Sequence, residues 1–91
     1  MDLKWTSKAR LDLARLYDFL ADSNQKAAAQ VIQALVAAPT RFLDHPRIGE
    51  KLDEFGPREI RRILIRQYGM RYEIQGTTIY VLRIWHTREQ R

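Results

Sequence analysis

The apolar residues of this chain keep helical spacing through its first half and alternate through its second. That single change of period limits the available folds more than any other feature. Leu13, Leu16, Tyr17 and Leu20 fall at i, i+3, i+4 and i+7, one stripe of an amphipathic helix. Thr6 or Ser7 supplies its N-cap, and Ser23 and Asn24 end it and cap the next helix. Ala28, Val31, Ile32 and Leu35 form the second stripe, whose alanines favour helix and allow close approach to a neighbour. Pro39 ends or kinks this helix near Ala38, because proline removes an internal hydrogen bond and clashes with the preceding turn. So short a connection makes the pair an antiparallel helical hairpin.

Ahead of the helices, Leu3 and Trp5 alternate in "DLKW", which reads as a short strand. After them, "HPRIGEKLDEFGP" carries two prolines and two glycines and reads as a loop with a short strand near Lys51–Leu52. Ile60–Arg66, Met70–Gln75 and Thr78–His86 are rich in β-branched and aromatic residues, as strands are. Turns are expected at Tyr68-Gly69 and Gly76-Thr77, giving an antiparallel meander. Alternation puts Met70, Tyr72 and Ile74 on one face, with Arg71, Glu73 and Gln75 on the other. In the last strand it puts Leu82, Ile84 and His86 on one face and Val81, Arg83 and Trp85 on the opposite one. The expected fold is α+β, in the order β-α-α-β-β-β. The helical hairpin covers one face of a twisted antiparallel sheet, in one domain spanning residues 1–91.

Charge is divided unevenly along this order. Residues 1–57 hold eight Lys/Arg and eight Asp/Glu, whereas residues 58–91 hold eight Arg and three Glu and carry the whole net +5. Every base in that last third is Arg, whose planar fork suits phosphate and carboxylate. The surface they form is either a solvated basic face or one that meets an acidic partner, nucleic acid or protein. No apolar run approaches the ~20 residues of a membrane span, and no N-terminal signal is visible, so a cytoplasmic protein is expected. The absence of Cys removes disulfides and thiolate chemistry, and two His without Cys make no structural zinc site. The four glycines are isolated and form no phosphate loop. No metal or organic cofactor is expected.

The closing "LRIWHTREQR" starts as a strand and turns basic, with His86, Arg88 and Arg91. His86 either finishes the strand and bonds locally or serves as a general acid or base on a phosphodiester. Arg61, Arg62, Arg71, Arg83 and Arg88 have the chemistry to stabilise a pentavalent phosphate or to hold an acidic peptide.

Four stretches spread over nearly the whole chain resemble the RelE/ParE superfamily of toxins from bacterial type II toxin–antitoxin operons. They are "WTSKARLDLARLYDFLA", "HPRIGEKL", "REIRRILIRQYGMRYEI" and "IYVLRIWHTRE", in that order. The resemblance implies a helical hairpin on a twisted antiparallel sheet, in agreement with the periodicity. It also implies one of two activities, since RelE-like members are ribosome-dependent endoribonucleases that cut mRNA, and ParE-like members poison DNA gyrase. The ribonuclease branch carries an arginine just after the tyrosine that starts the middle strand, where this chain has Gly69. It carries a second arginine near the end of the last strand, matched by Arg88, and then a terminal tyrosine or histidine. Here no tyrosine follows Arg88, and His86 comes earlier. Of the sheet lysines found in that branch only Lys51 is a candidate.

These departures point to the ParE-like branch, and so to contact rather than catalysis. A ribosome-dependent endoribonuclease using Arg88, His86 and Arg62 is one alternative, and a weakly toxic antitoxin-binding protein is another. The resemblance further implies a cognate antitoxin from the same operon, bound to the outer face of the hairpin and to a sheet face bearing Arg62, Leu64, Arg71 and Arg83. Target contact is expected at Arg71, Arg83, His86 and Arg88.

Overall fold

A computed structural model describes residues 1–89; Gln90 and Arg91, the last of the C-terminal arginines, lie outside the described residues. Strand β1 (Asp2–Trp5) passes into helix α1 (Ser7–Ala21) at Thr6, whose hydroxyl accepts the Ala9 N–H as an N-cap. The same hydroxyl donates to the Val81 and Leu82 carbonyls, so the cap also ties the helix to the last strand. Asn24 caps helix α2 (Gln25–Ala37) in the same way, by accepting the Ala27 N–H. At Pro39 the α-helix gives way to a 3₁₀ turn (Ala38–Thr40) and a short helix α3 (Arg41–Asp44), as a proline stop requires. Strands β2 (Glu50–Lys51), β3 (Glu59–Ile65), β4 (Tyr68–Gln75) and β5 (Thr78–His86) follow.

The sheet has the order β1-β5-β4-β3-β2, with β4 at its centre. It is mixed, because β1 runs parallel to β5 while every other neighbouring pair is antiparallel. Hairpins force antiparallel pairing, but β1 and β5 are joined through the rest of the chain, which leaves their relative direction open. The core lies between the sheet and the helices. Ala9 and Leu16 of α1, Leu35 of α2 and Phe42 of α3 meet Met70, Tyr72, Ile79, Val81 and Ile84. Phe42 stacks on Tyr72 at 4.0 Å between ring centroids. The Tyr72 hydroxyl donates to the Pro46 carbonyl (2.7 Å) and accepts the Gly49 N–H (3.0 Å), pinning the proline-rich loop to the central strand.

Three local expectations are corrected. The turn between β3 and β4 is Arg66-Gln67, not Tyr68-Gly69, and Arg66 takes a positive φ of 56° in the place where the next hairpin has Gly76 at 57°. Gly69 instead lies inside β4 opposite Trp85, where a Cβ would come within 2.5 Å of the indole ring. That glycine serves packing, not a turn.

The second correction concerns β5. Arg71 pairs with Arg83 but Tyr72 pairs with Val81, so Leu82 is an extra residue, a β-bulge that resets the alternation. Val81 and Ile84 therefore both face the helices, whereas strict alternation placed them on opposite faces. Third, Tyr17 is on the exposed side of α1; the buried line runs through Ala9, Asp12 and Leu16, with Leu13 and Leu20 half-buried. A carboxylate at the centre of that line is what the apolar pattern concealed.

Candidate functional site

Register carries the basic residues of the last third into one arrangement. Arg62 pairs with Arg71 and Arg71 with Arg83, so three arginines from β3, β4 and β5 form a row across the sheet face turned away from the helices. Directly opposed like charges repel, and each cation in the row is compensated differently. Arg62 bonds the Glu50 carboxylate on β2. The Arg71 guanidinium lies 5.1 Å from the Phe55 ring and 5.5 Å from the Trp85 ring, an arrangement that suits a cation on aromatic faces. Arg83 reaches round the strand to Asp12, with Nε–Oδ2 at 2.9 Å and Nη2–Oδ1 at 3.2 Å. Of the four residues expected on the sheet face, Arg62 and Leu64 are exposed, and Arg71 and Arg83 are partly covered. Phe55 belongs to a short 3₁₀ turn, Asp53–Phe55, that folds over this face, and Arg58 beyond it grips Glu73 through two bonds of 2.9 and 2.7 Å.

Asp12 deserves its burial only because of its partners. Beyond Val81, β1 has ended and α1 lies against β5 in its place. There the Asp12 carboxylate accepts the Ile84 N–H at 2.9 Å as well as the Arg83 fork, with Arg15 at 3.7 Å. Burial alone pushes this carboxyl up, but the Arg83 bonds, the Ile84 N–H and the charges of Arg83 and Arg15 outweigh it and hold it below the usual carboxylate range. Arg15 bridges onward to Glu89 at 2.7 Å, just past the end of β5.

His86 lies on the other side of the sheet. It pairs with Tyr68, whose ring it meets edge-on at 5.2 Å, on the helix-facing side. Its Nδ1 accepts the Arg88 backbone N–H (3.1 Å) and its Nε2 faces Gln67 Oε1 (3.3 Å). Both ring nitrogens thus have local partners within the chain. A groove of about 490 Å³ opens beside it, between α1 and the end of β5. Leu16, Phe19, Leu20 and Tyr68 supply its apolar lining, and Arg15, Gln67, His86, Arg88 and Glu89 its polar groups. Sequence reasoning found His86 and Arg88 but missed the groove. Its signal was Phe19, 75% exposed and off the buried stripe of an amphipathic helix.

The candidate residues thus fall into two groups. Arg62, Leu64, Arg71 and Arg83 share the outer sheet face, and His86 and Arg88 border the groove on the helix side. Lys51 lies in β2 opposite Arg61, next to the Glu50 that pairs with Arg62. Among the described residues no cluster of three or more His, Asp or Glu side chains is placed to hold a metal ion.

Comparison with known proteins decides the family. The family model described as "ParE toxin of type II toxin-antitoxin system, parDE" matches residues 3–91. The chain belongs to this toxin family. This ParE-family toxin is 34% identical over 88 residues to Toxin RelE1 of Caulobacter vibrioides (strain ATCC 19089 / CIP 103742 / CB 15), covering 92% of this chain and 90% of that one. Its fold matches the chromosomal ParDE toxin–antitoxin system from P. aeruginosa with a TM-score of 0.80 and 25% identity, over 94% of this chain and 95% of the other. The toxin–antitoxin complex RelBE2 from Mycobacterium tuberculosis shares the fold, with a TM-score of 0.59 and 24% identity, covering 93% and 88% of the two chains.

Proposed function

We propose that this ParE-family toxin stops growth by binding its target rather than by cutting RNA, and that the target is DNA gyrase. We further propose that a cognate antitoxin from the same operon holds it inactive, in the cytoplasm. One observation carries the preference for contact over cleavage. The residues that a ribonuclease reading would recruit divide across the sheet, with Arg62 on the outer face and His86 and Arg88 on the helix side. Phosphodiester cleavage needs its acid, base and cation within hydrogen-bond reach of one phosphate. Both nitrogens of His86 are, moreover, already engaged. The lack of an arginine at Gly69 supports the same reading, since that position is filled by the Trp85 ring. Gyrase as the target follows the ParE-like resemblance, and the antitoxin follows the neighbouring toxin–antitoxin assemblies.

The test is expression of the toxin without its antitoxin, followed by two readouts. Broken DNA with intact mRNA, together with inhibition of purified gyrase in a supercoiling assay, is the expected result. Codon-positioned mRNA cuts with undamaged DNA would overturn it in favour of a ribosome-dependent ribonuclease. Unimpaired growth, with the antitoxin complex still formed, would leave a binding protein of little toxicity.

A further inference from the structure

We propose that the exposed stripe of α1 pairs with the same stripe of a second copy of this chain, antiparallel and about a two-fold axis at Arg15. The pairing does not depend on which target the toxin has. Lys8, Leu11, Arg15, Phe19 and Asp22 follow one another at intervals of three, four, four and three residues, so they line up along one side of the helix. All five are exposed, Leu11 to 69% and Phe19 to 75%, beside the buried line of Ala9, Asp12 and Leu16.

The charges on α1 run against its dipole. Lys8 stands in the first turn, Asp18 lies near the other end and Asp22 is the C-cap. A helix favours anions at its N-terminus and cations at its C-terminus, so each of these charges is misplaced for a helix on its own. Among the described residues Lys8, Asp18 and Asp22 have no ion-pair partner. An antiparallel neighbour reverses the sign of the effect. Each basic start then lies beside the acidic end of the partner helix and the negative pole of its dipole.

The pattern is its own complement. Reversal about Arg15 carries Leu11 onto Phe19 and Lys8 onto Asp22, so an apolar pair and an ion pair form on each side of the axis. Arg15 meets its own copy there, but its charge is already taken up. It bonds Glu89 at 2.7 Å and lies 3.7 Å from Asp12, which in turn holds Arg83, and this set of charges is neutral. A helix of different sequence has no need of this two-fold pattern, so the symmetry selects a second copy of the chain. With 15 residues, α1 is about 22 Å long. Contact of one such helix with another falls at the low end of specific interfaces, under ~1,200 Å², which makes the pair reversible. It covers Phe19, and with it one wall of the groove that His86 and Arg88 border.

The experiment is analytical ultracentrifugation of the full-length chain from about 1 μM to about 500 μM, at low and high salt. Dimerisation with a Kd of about 10–100 μM is expected, several-fold weaker at high salt. Lys8→Asp and Asp22→Lys each set like charges against one another at both ends of the pair, and each variant should stay monomeric. Both place the new charge where the dipole favours it, so the melting temperature of the dilute chain should not fall. An equimolar mixture of the two variants should dimerise again, because acid then meets base on both sides of the axis. A wild-type chain that stays monomeric throughout overturns the proposal and leaves the stripe to a different partner. Single variants that pair as tightly as the wild type, or a mixture that stays monomeric, overturn it as well.

Discussion

Replacing Asp12 by Ala tests whether α1 completes the edge of β5. Asp12 is 4% exposed, and its carboxylate holds the N–H of the fully buried Ile84 together with the Arg83 fork. Its loss leaves the Ile84 N–H without an acceptor, at about 1–3 kcal/mol. Breaking a fully buried ion pair costs about 3–5 kcal/mol, but the Arg83 side chain is 32% exposed and regains water, so its share is smaller. The sum expected for Asp12→Ala is about 2–4 kcal/mol, a large part of the ~5–15 kcal/mol typical of a domain. Arg83→Ala should cost less, about 1–2 kcal/mol, because Asp12 keeps the Ile84 N–H and the nearby Arg15. Urea unfolding of both variants and the double mutant measures the coupling. The pH arm has a definite sign. The Asp12 carboxyl is depressed in the folded state, so its contribution is complete above the unfolded value of ~3.9 and disappears as pH falls through the folded one. Asp12→Asn should remove that component and flatten the acid limb. The reasoning is refuted if Arg83→Ala is the more damaging substitution, or if Asp12→Ala costs under about 0.5 kcal/mol.

Gly69→Ala should destabilise by about 1–3 kcal/mol, because its methyl overlaps Trp85, and in a Trp5→Phe background the remaining tryptophan emission should shift to the red. Arg66→Gly should raise the melting temperature by relieving a positive φ worth up to ~1 kcal/mol net of glycine's entropy, and a lower value would reveal a contact made by the Arg66 side chain. Leu16→Asp should abolish a cooperative melt, since it buries a charge with no partner at a cost of several kcal/mol. Arg88→Ala should lower toxicity through about tenfold weaker target binding while the fold and the antitoxin complex survive; equal killing at equal expression counts against the groove as the working surface.

Elements set by local chemistry were legible in the sequence. Thr6 or Ser7, and then Ser23 with Asn24, announced the helix starts, Pro39 announced the stop, and Gly76 marked a turn, because caps, proline and positive φ act through neighbouring atoms. What depends on distant partners was hidden. Gly69 looked like a turn residue, because nothing in its neighbourhood reveals that Trp85, sixteen residues on, will lie across it. Arg66-Gln67 has no turn composition, yet tertiary pairing places the reversal there. Asp12 was no part of the apolar stripe read from the sequence, and only the fold brings Arg83 and Ile84 to it. The arginines were visible as a basic third, but their assembly into a row needed the register. The groove needed α1 to be set against the end of β5.

The bulge at Leu82 makes the end of the chain a matter of parity. Every residue from Arg83 onward owes its side of the sheet to an odd count at one position. Pairing Leu82 regularly with Arg71 would put Ile84 opposite Gly69 and carry Trp85 to the side now held by His86, whereas deleting Leu82 would leave both where they are. That slip, unlike the loss of Leu82, would take Arg83 and Ile84 from Asp12 and His86 from the rim of the groove together. The bulge therefore gives this segment one residue of slack: a deletion at Leu82 preserves both candidate surfaces, whereas a change of register acts on both at once.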